Sequence, residues 1–580
     1  MKKILTLLLF ITSICLSNEF SDGPYGTNFF NIAGPFSVPD LNVTIQGDPN
    51  LDEIVNIQDV IIVVQHILGS SIIAGDSFSQ ADMNDDSIID ILDILSIINQ
   101  ILDPQDPLWN FEDQWTGNDS YIFIQYDPTV NYSTALWASN TKEDLLDNSP
   151  MNVHYFFTSN RSQYETDIQF IKEGFDEVLA NYSEDMQNHW KNHLHFVNAK
   201  VSDMDNWLDD ALSGQYAISI DCFQRIREVG YLGNPASFTG TYLSYLAHEA
   251  HYFNYELNVF NTSEESTYDE ITIFDEDYYT GGWAATISQT VELPTLEQLN
   301  NYDQLEVELL RGCPDANGNY SDDGCDDYDR KAHMYICEAD GTECMEIARW
   351  ITPFDRQPHH LTDITPFISS LKPGGTKIFK FQESGWPNSL ITLKLRLHHG
   401  NPSGGTPTDI IPIWNGTVQF NPSYDDNRPP QVFTIPNNAQ KVEFVAYLTG
   451  HGWGSAGCFN CCEFCNSRHI FSVNGGVHEF YRDHPNASSS NYCMQPETIA
   501  QGVIPNQGGT WGYGRAGWCP GMDVHPYITD ITNFVNMGEE NVIDYSACRV
   551  SGNSCLTPPT CNGDGYCPEV AFSSYIIISY

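Results

Sequence analysis

The sequence predicts a multidomain protein: an all-β C-terminal half of two antiparallel sandwiches, preceded by a short helical repeat and a mixed α/β domain. Three observations carry this. An acidic spacing occurs twice within 48–102. Strand-like and helix-like runs alternate through 104–266. From 267 onward, short runs with every second residue apolar recur between Gly, Pro, Asn and Asp turns. The chain has 580 residues, which at roughly 150 per domain is room for about four domains. It carries 25 Lys+Arg against 77 Asp+Glu, a formal net charge of −52. Such a surface repels phosphates and anionic lipid, which argues against nucleic-acid binding and membrane association. The hydrophobic fraction of 41% and aromatic fraction of 13% are enough for packed cores.

Residues 1–17 read as a signal peptide. Lys2 and Lys3 precede an apolar run too short to span a bilayer, and Ser17 offers a small residue for cleavage. No later stretch is long and apolar enough to insert in a membrane, so the expected location is secreted, periplasmic or extracellular. Cysteine usage agrees. Fourteen of the 16 cysteines lie between Cys313 and Cys567, which reads as a disulfide framework in an oxidising compartment. Short spacings suggest local loops at Cys313/Cys325, Cys337/Cys344, Cys548/Cys555 and Cys561/Cys567. Zinc is the rival reading for the cluster Cys458, Cys461, Cys462 and Cys465.

Segment 45–103 holds the repeat. Oxygen-bearing side chains stand at loop positions 1, 3, 5, 9 and 12 in both copies: Asp48, Asn50, Asp52, Asn56 and Asp59, then Asp82, Asn84, Asp86, Asp90 and Asp93. That spacing wraps a loop around Ca²⁺ and starts a helix at its end. Each loop is followed by an apolar run, 60–68 and 94–102. The pair resembles a dockerin module, with Asp rather than Glu as the last ligand and with Glu53 and Ser87 where the sixth-position Gly is usual. The resemblance implies structural Ca²⁺ and a cohesin partner or an intramolecular docking role. The rival is an acidic helical hairpin without metal.

Residues 104–266 form the α/β domain, whose role the sequence leaves open and which extends to 18–44 if the following resemblance holds. Residues 32–41 resemble the opening strand of redoxin-type domains, which would make the calcium repeat an insertion. No Cys-x-x-Cys is present, so thioredoxin chemistry does not follow. His248-Glu249-Ala250-His251 suggests a metalloprotease, but its histidines are three apart rather than the four that place both on one helix face.

The β-rich half divides near 400–415, giving domains at 267–409 and 410–580. Three acids stand out there. Asp329 sits between Tyr328 and Arg330, close to Cys325. Glu383 precedes Ser-Gly-Trp386. Glu463 lies between Cys461 and Cys465, inside a tiny loop that a disulfide would close. Apolar neighbours raise a carboxyl pKa and arginines lower it, which is how one site obtains an acid and a base.

The words around these acids resemble the peptide-N-glycosidase F family over roughly 267–580. They run in family order from Gly312-Cys-Pro314 and Cys325-Asp-Asp-Tyr-Asp-Arg330, through Glu346-Ile-Ala-Arg-Trp-Ile-Thr-Pro353, Glu383-Ser-Gly-Trp386 and Ile411-Pro-Ile-Trp414, to Gly450-His-Gly452 and the Cys461–Cys465 block. They are sharpest at Gly509-Thr-Trp-Gly-Tyr-Gly-Arg515-Ala-Gly-Trp518-Cys519. The resemblance implies two adjacent eight-stranded antiparallel jelly rolls with a site at their interface. It implies an amidase that cuts the bond between an Asn side chain and the first N-acetylglucosamine of an N-glycan. The substrate would be an N-glycoprotein or glycopeptide, and no cofactor is implied for catalysis. Asp329, Glu463 and Glu383 take the catalytic positions. Tyr328, Arg330, Trp386, Arg515 and Trp518 line the cleft. Cys313/Cys325, Cys461/Cys465 and Cys493/Cys519 match the family's disulfides. Tyr328 and Phe464 stand where the family often has Trp, and Ser384-Gly385 adds one residue before Trp386. Two rivals remain from other classes: a non-catalytic glycan-binding sandwich, and a copper monooxygenase using His359-His360 and His398-His399.

Overall fold

The computed structural model describes residues 19–580 except 44–45, 53, 85, 103–107, 139–140, 205–206, 315–323, 387, 401–404 and 562–565. The signal segment and Glu53 lie outside the described residues. The chain forms two compact units, Asn18–Arg227 and Glu228–Tyr580. Residues 228–266 therefore cluster with the β-rich half.

In the first unit a sheet pairs Ser120–Gln125, Val153–Thr158 and Leu194–Phe196 in parallel, with Ala217–Ile220 antiparallel to the first of these. The parallel strands read as continuous apolar runs because both faces are covered; Ile122, Phe123, Phe156 and Phe157 are all fully buried. Helix Tyr164–Leu179 buries Ile168, Ile171, Phe175 and Leu179, a stripe at helical spacing. Strand Ser37–Pro39 pairs antiparallel with Leu108–Asn110. The acidic repeat lies between these two paired strands in sequence, so it interrupts the α/β unit. Its helices, Ile57–Ile67 and Ile91–Leu102, close on a small core of Val60, Val63 and Ile97. Asn56 starts the first helix through a capping box with Asp59.

The second unit opens with helix Leu246–Glu264 and continues as four antiparallel sheets. The first orders His359–Asp363, Tyr302–Gly312, Ser389–His399 and Tyr268–Tyr279. The second orders Met522–Asp523, Met345–Ile351, Lys331–Cys337, Gly375–Glu383 and Ala285–Leu293. In the third, Asp409–Pro412, Glu569–Ser579, Lys441–His451 and Tyr527–Asp530 are neighbours, with Thr417–Gln419 also on Glu569–Ser579. In the fourth they are Gln431–Thr434, Glu540–Ser551, Ser467–Val473 and His478–His484, with Ser554–Leu556 also on Glu540–Ser551. Alternation decides which side faces inward: Leu393, Leu395 and Leu397 are fully buried along one strand, and Phe379 and Phe381 along another. Strands beyond four per sheet are short edge segments. The core of the first pair of sheets includes Val445, Tyr447, Tyr575 and Ile577 from the second, so the sandwiches share apolar packing.

Among the described residues, the disulfides Cys313–Cys325, Cys337–Cys344, Cys461–Cys465, Cys493–Cys519 and Cys548–Cys555 tie this unit. The Cys561/Cys567 loop suggested by spacing does not form, and Cys567 is a thiol. The zinc reading fails, because Cys461 and Cys465 are bonded to each other and offer no thiolates.

Candidate active site

Two loops that are distant in sequence each deliver one carboxylate to the same arginine. The Cys313–Cys325 bridge precedes Asp326, whose buried carboxylate accepts the Tyr328 amide (3.0 Å) and the Arg330 guanidinium (Nε 3.1 Å, Nη2 3.2 Å). The tight turn this makes carries Asp329 between them. Asp329 Oδ2 lies 3.4 Å from Arg515 Nε; it is buried and accepts no hydrogen bond. On the other side, the Cys461–Cys465 bridge closes a loop around Glu463. Its Oε1 lies 3.3 Å from the same Nε, and its Oε2 accepts the Gly452 amide at 3.2 Å. Gly452 has φ +81°, and a Cβ there would meet the Cys567 carbonyl oxygen at 2.3 Å, so glycine is required for that amide to reach Glu463.

Arg515 is only 4% exposed and is held on every side. Nη1 donates to the carbonyls of Thr510 (2.9 Å) and Tyr513 (2.7 Å), and Nη2 donates to Thr510 Oγ1 (3.0 Å). Its guanidinium lies 5.0 Å from the rings of both Phe464 and Trp518. The Nε–H is thus the edge turned to the two acids. Burial, and then the charge of Asp329, push the Glu463 carboxyl up to about 7 against the opposing pull of Arg515. Burial also raises Asp329, opposed by Arg515 and Arg330. Two carboxyls beside one cation favour a state in which one is ionised and one protonated.

Residues 419–575 match the family described as peptide-N-glycosidase F, C terminal, and residues 46–102 match the dockerin type I domain. A curated relative, peptide-N(4)-(N-acetyl-beta-D-glucosaminyl)asparagine amidase F of Elizabethkingia miricola, is 26% identical over 346 residues, covering 55% of this chain and 86% of its own. The C-terminal half is thus similar to the peptide-N-glycosidase F family, and the segment 46–102 to a dockerin type I domain. Among solved structures, PNGase F, a glycosylasparaginase from Flavobacterium meningosepticum, is 21% identical over 54% of this chain and 96% of its own, with a TM-score of 0.42. A structure of PNGF-II is 15% identical over 62% of this chain and 74% of its own, with a TM-score of 0.40.

The other residues expected to line a cleft divide into open and closed. Tyr328 and Trp386 are 59% and 58% exposed, flat aromatic faces open to solvent. Asp326 holds both, since it also accepts the Trp386 amide. Arg330 is tied to Asp326 and lies over Tyr328, 5.1 Å from the ring centre. Trp518 is buried. Its indole donates to the Gly450 carbonyl (2.8 Å), and its ring stacks on His451 and beneath Arg515. It is a floor for Arg515 and not an open platform. Glu383 is fully buried with both oxygens on Arg311, at 2.8 and 2.9 Å. It is a closed ion pair two residues before Gly385, where a Cβ would meet Glu383 Oε1 at 2.1 Å. Glu383 thus anchors the turn that carries Trp386, with both its oxygens committed to Arg311.

Asp326 and Gly452 stand inside the quoted words without an assigned role, and Arg311 lies just outside them. Asp two residues before an aromatic amide is an Asx-turn signal that points to Asp326. Nothing local marks Arg311. Of the histidine pairs, His359 bonds Glu308 (2.8 Å), His398 bonds Glu306 (2.7 Å) and His399 bonds Asp269 (3.2 Å), whereas His360 is buried with neither ring nitrogen hydrogen-bonded. Among the described residues no three His, Cys, Asp or Glu side chains converge as a closed metal shell.

In the dockerin loops, Asp48, Asp59, Asp82 and Asp93 are buried. Several loop oxygens bond loop amides: Asp48 and Asn50 accept from the Asp52 amide, Asp82 from Ser87, and Asp93 from Met83 and Asp90. Asp59 Oδ1 is buried with no hydrogen-bond partner, an orphaned hard oxygen of the kind a calcium ion satisfies. Among the described residues no helix is long and apolar enough to cross a membrane.

Proposed function

We propose that this protein is an extracellular peptide-N-glycosidase, hydrolysing the amide between Asn and the first N-acetylglucosamine of N-linked glycoproteins. The products are Asp in the peptide and a released glycosylamine. The observation that carries this reading is the pair Asp329 and Glu463 on one Arg515 nitrogen, with Asp329 Oδ2 buried and unpartnered. An amide carbonyl needs an activated water, charge stabilisation on oxygen and a proton for the departing nitrogen. Asp329 Oδ2 takes the proton from the attacking water. The Arg515 Nε–H holds both acids in place, and its positive charge offsets the charge gained beside them. Glu463, protonated up to about pH 7, supplies the proton as the C–N bond breaks. Trp386 and Tyr328 offer exposed aromatic surface for sugar rings, and Arg330, which lies over Tyr328, can hold sugar hydroxyls. Glu383 supports this set through the Trp386 turn. The scaffold is read as two jelly rolls, 267–409 and 410–580.

Segment 45–103 is a dockerin-type module whose ligand set, Asp48, Asn50, Asp52, Asn56 and Asp59 with Asp82, Asn84, Asp86, Asp90 and Asp93, fits Ca²⁺ as a structural ion. Apolar side chains left exposed on its helices, Ile61 and Leu95 among them, suit a cohesin partner or an intramolecular docking face. The α/β domain is read as a spacer or substrate-shaping domain. Digestion of a glycopeptide in heavy-oxygen water tests the activity. Conversion of the glycan-bearing Asn to heavy-labelled Asp, with the glycan released intact, is the expected result. Glycopeptide that binds but is never cut would favour the glycan-binding sandwich instead.

A further inference from the structure

The helix Leu246–Glu264 carries a buried carboxylate that the proposed chemistry does not use. Glu249 is fully buried in the first turn of that helix. Its Oε1 accepts from the Gly230 amide (3.0 Å), Asn506 Nδ2 (2.9 Å) and Arg356 Nη1 (3.0 Å), and its Oε2 accepts from Arg356 Nη2 (3.3 Å). The packing is tight enough that a Cβ on Gly230 would meet Arg356 Nη1 at 2.0 Å and the Asn506 carbonyl oxygen at 2.2 Å.

The two partners of Glu249 belong to the two loops that set the active-site charges. Arg356 ends the segment on which the Asp329 turn rests. The Asp355 amide donates to the Asp326 carbonyl (3.0 Å), and the Arg330 amide donates to Thr352 Oγ1 (2.8 Å). Asn506 opens the segment that grips Arg515 through Thr510. Asn506 sits at φ +52° and its amide also donates to the Tyr245 carbonyl (3.0 Å), so the helix start holds it in a left-handed turn. Arg356 crosses between the loops by donating to the Pro505 carbonyl (2.8 Å), and the Phe354 amide adds a neutral tie to Gln507 Oε1 (2.9 Å).

We infer that Glu249 is a positioning residue for the amidase: it clamps the Asp329 loop to the Arg515 loop and so sets the Asp329–Arg515–Glu463 spacing. This rests on the amidase reading above. The helix is then a working part of the active-site support, and the buried acid of the His-Glu-Ala-His run has a role unrelated to metal.

The test uses the full chain with Glu249→Gln and Asn506→Gly. The second keeps the left-handed backbone and deletes only the side-chain ties, so it still decides if the first fails to fold. In Glu249→Gln, kcat is expected to fall about 10- to 100-fold with KM within about twofold, the signature of misplaced reacting groups. Arg515 lowers the Glu463 carboxyl, so the pH midpoint governed by Glu463 is expected to move upward as Arg515 is displaced. Asn506→Gly is expected to show the same two changes in smaller measure. Amide exchange, read by mass spectrometry, is expected to quicken in 326–330 and 505–515 together. Wild-type kcat in a folded variant overturns the inference, as does a kcat loss with an unmoved pH profile. If the wild-type chain cuts no glycopeptide, the amidase reading fails and exchange alone decides. Quickening in both loops then supports the clamp, and quickening confined to the helix overturns it.

Discussion

The β-rich half contains two buried arginine–carboxylate constructions that look alike in composition and differ in use. Arg311 and Glu383 form a fork-on-fork pair at 2.8 and 2.9 Å, with both carboxylate oxygens occupied. Arg515 instead offers a single Nε to two acids at 3.3 and 3.4 Å, and leaves Asp329 Oδ2 without a hydrogen bond. The first arrangement satisfies its charges at rest and behaves as a strut. The second leaves a buried acceptor unpaired and crowds two carboxyls beside one cation. Both cost stability, and both suit a group waiting for a water and a substrate. A buried ion pair is therefore not itself the mark of a site. An unfinished one is the stronger sign.

The largest effect that would break this contrast is on chemistry at Asp329. Asp329→Asn removes the proton acceptor and keeps the shape. Glycopeptide hydrolysis is expected to fall at least about 10²- to 10⁴-fold, with the thermal midpoint held or raised. Full activity in that variant would mean the unpartnered oxygen is incidental.

The strut makes the opposite prediction. Glu383→Ala strands the Arg311 guanidinium in the core, which is expected to cost about 3–5 kcal/mol in denaturant unfolding. The fraction that stays folded is expected to keep kcat within about tenfold, since neither oxygen of Glu383 faces the acid pair. A collapse of kcat with unchanged stability would move Glu383 from support to chemistry.

How much of this was readable in the sequence follows from how local each signal is. The calcium spacing lies within twelve consecutive residues, so both copies were legible without a structure. The strands of the C-terminal half were legible from alternation, as in Leu393, Leu395 and Leu397. Asp329, Glu463 and Arg515 are widely separated in sequence, and no spacing rule joins them. Only the ordered string of surrounding words pointed to all three. Glu383 shows the limit. Its partner Arg311 lies 72 residues away, so an acid beside Ser-Gly-Trp read as a third cleft acid until its burial was seen. Trp518 shows the same limit, because a Trp near an Arg is equally an open platform or a floor. The histidine pairs also needed the sheet register, which sets Glu308 near His359 and Glu306 near His398. Short cysteine spacing misled at Cys561/Cys567, where closeness in sequence was not pairing in space.

The smallest predicted effect is on stability rather than rate, and it separates the two constructions by pH. The Glu463 carboxyl is raised from an ordinary 4.5 to about 7 in the folded protein. A raised carboxyl binds its proton more tightly when folded. Its contribution to stability is therefore fully present below about pH 4.5 and is lost as pH rises through about 7. Glu463→Gln cannot ionise and should escape that loss. The thermal midpoint of the variant relative to wild type is thus expected to climb between pH 5 and pH 8 and then level off. A difference that stays constant over that range would mean the Glu463 carboxyl is not raised. The spent-at-rest cost that distinguishes the Arg515 cluster from the Arg311 strut would then have to lie with Asp329 alone.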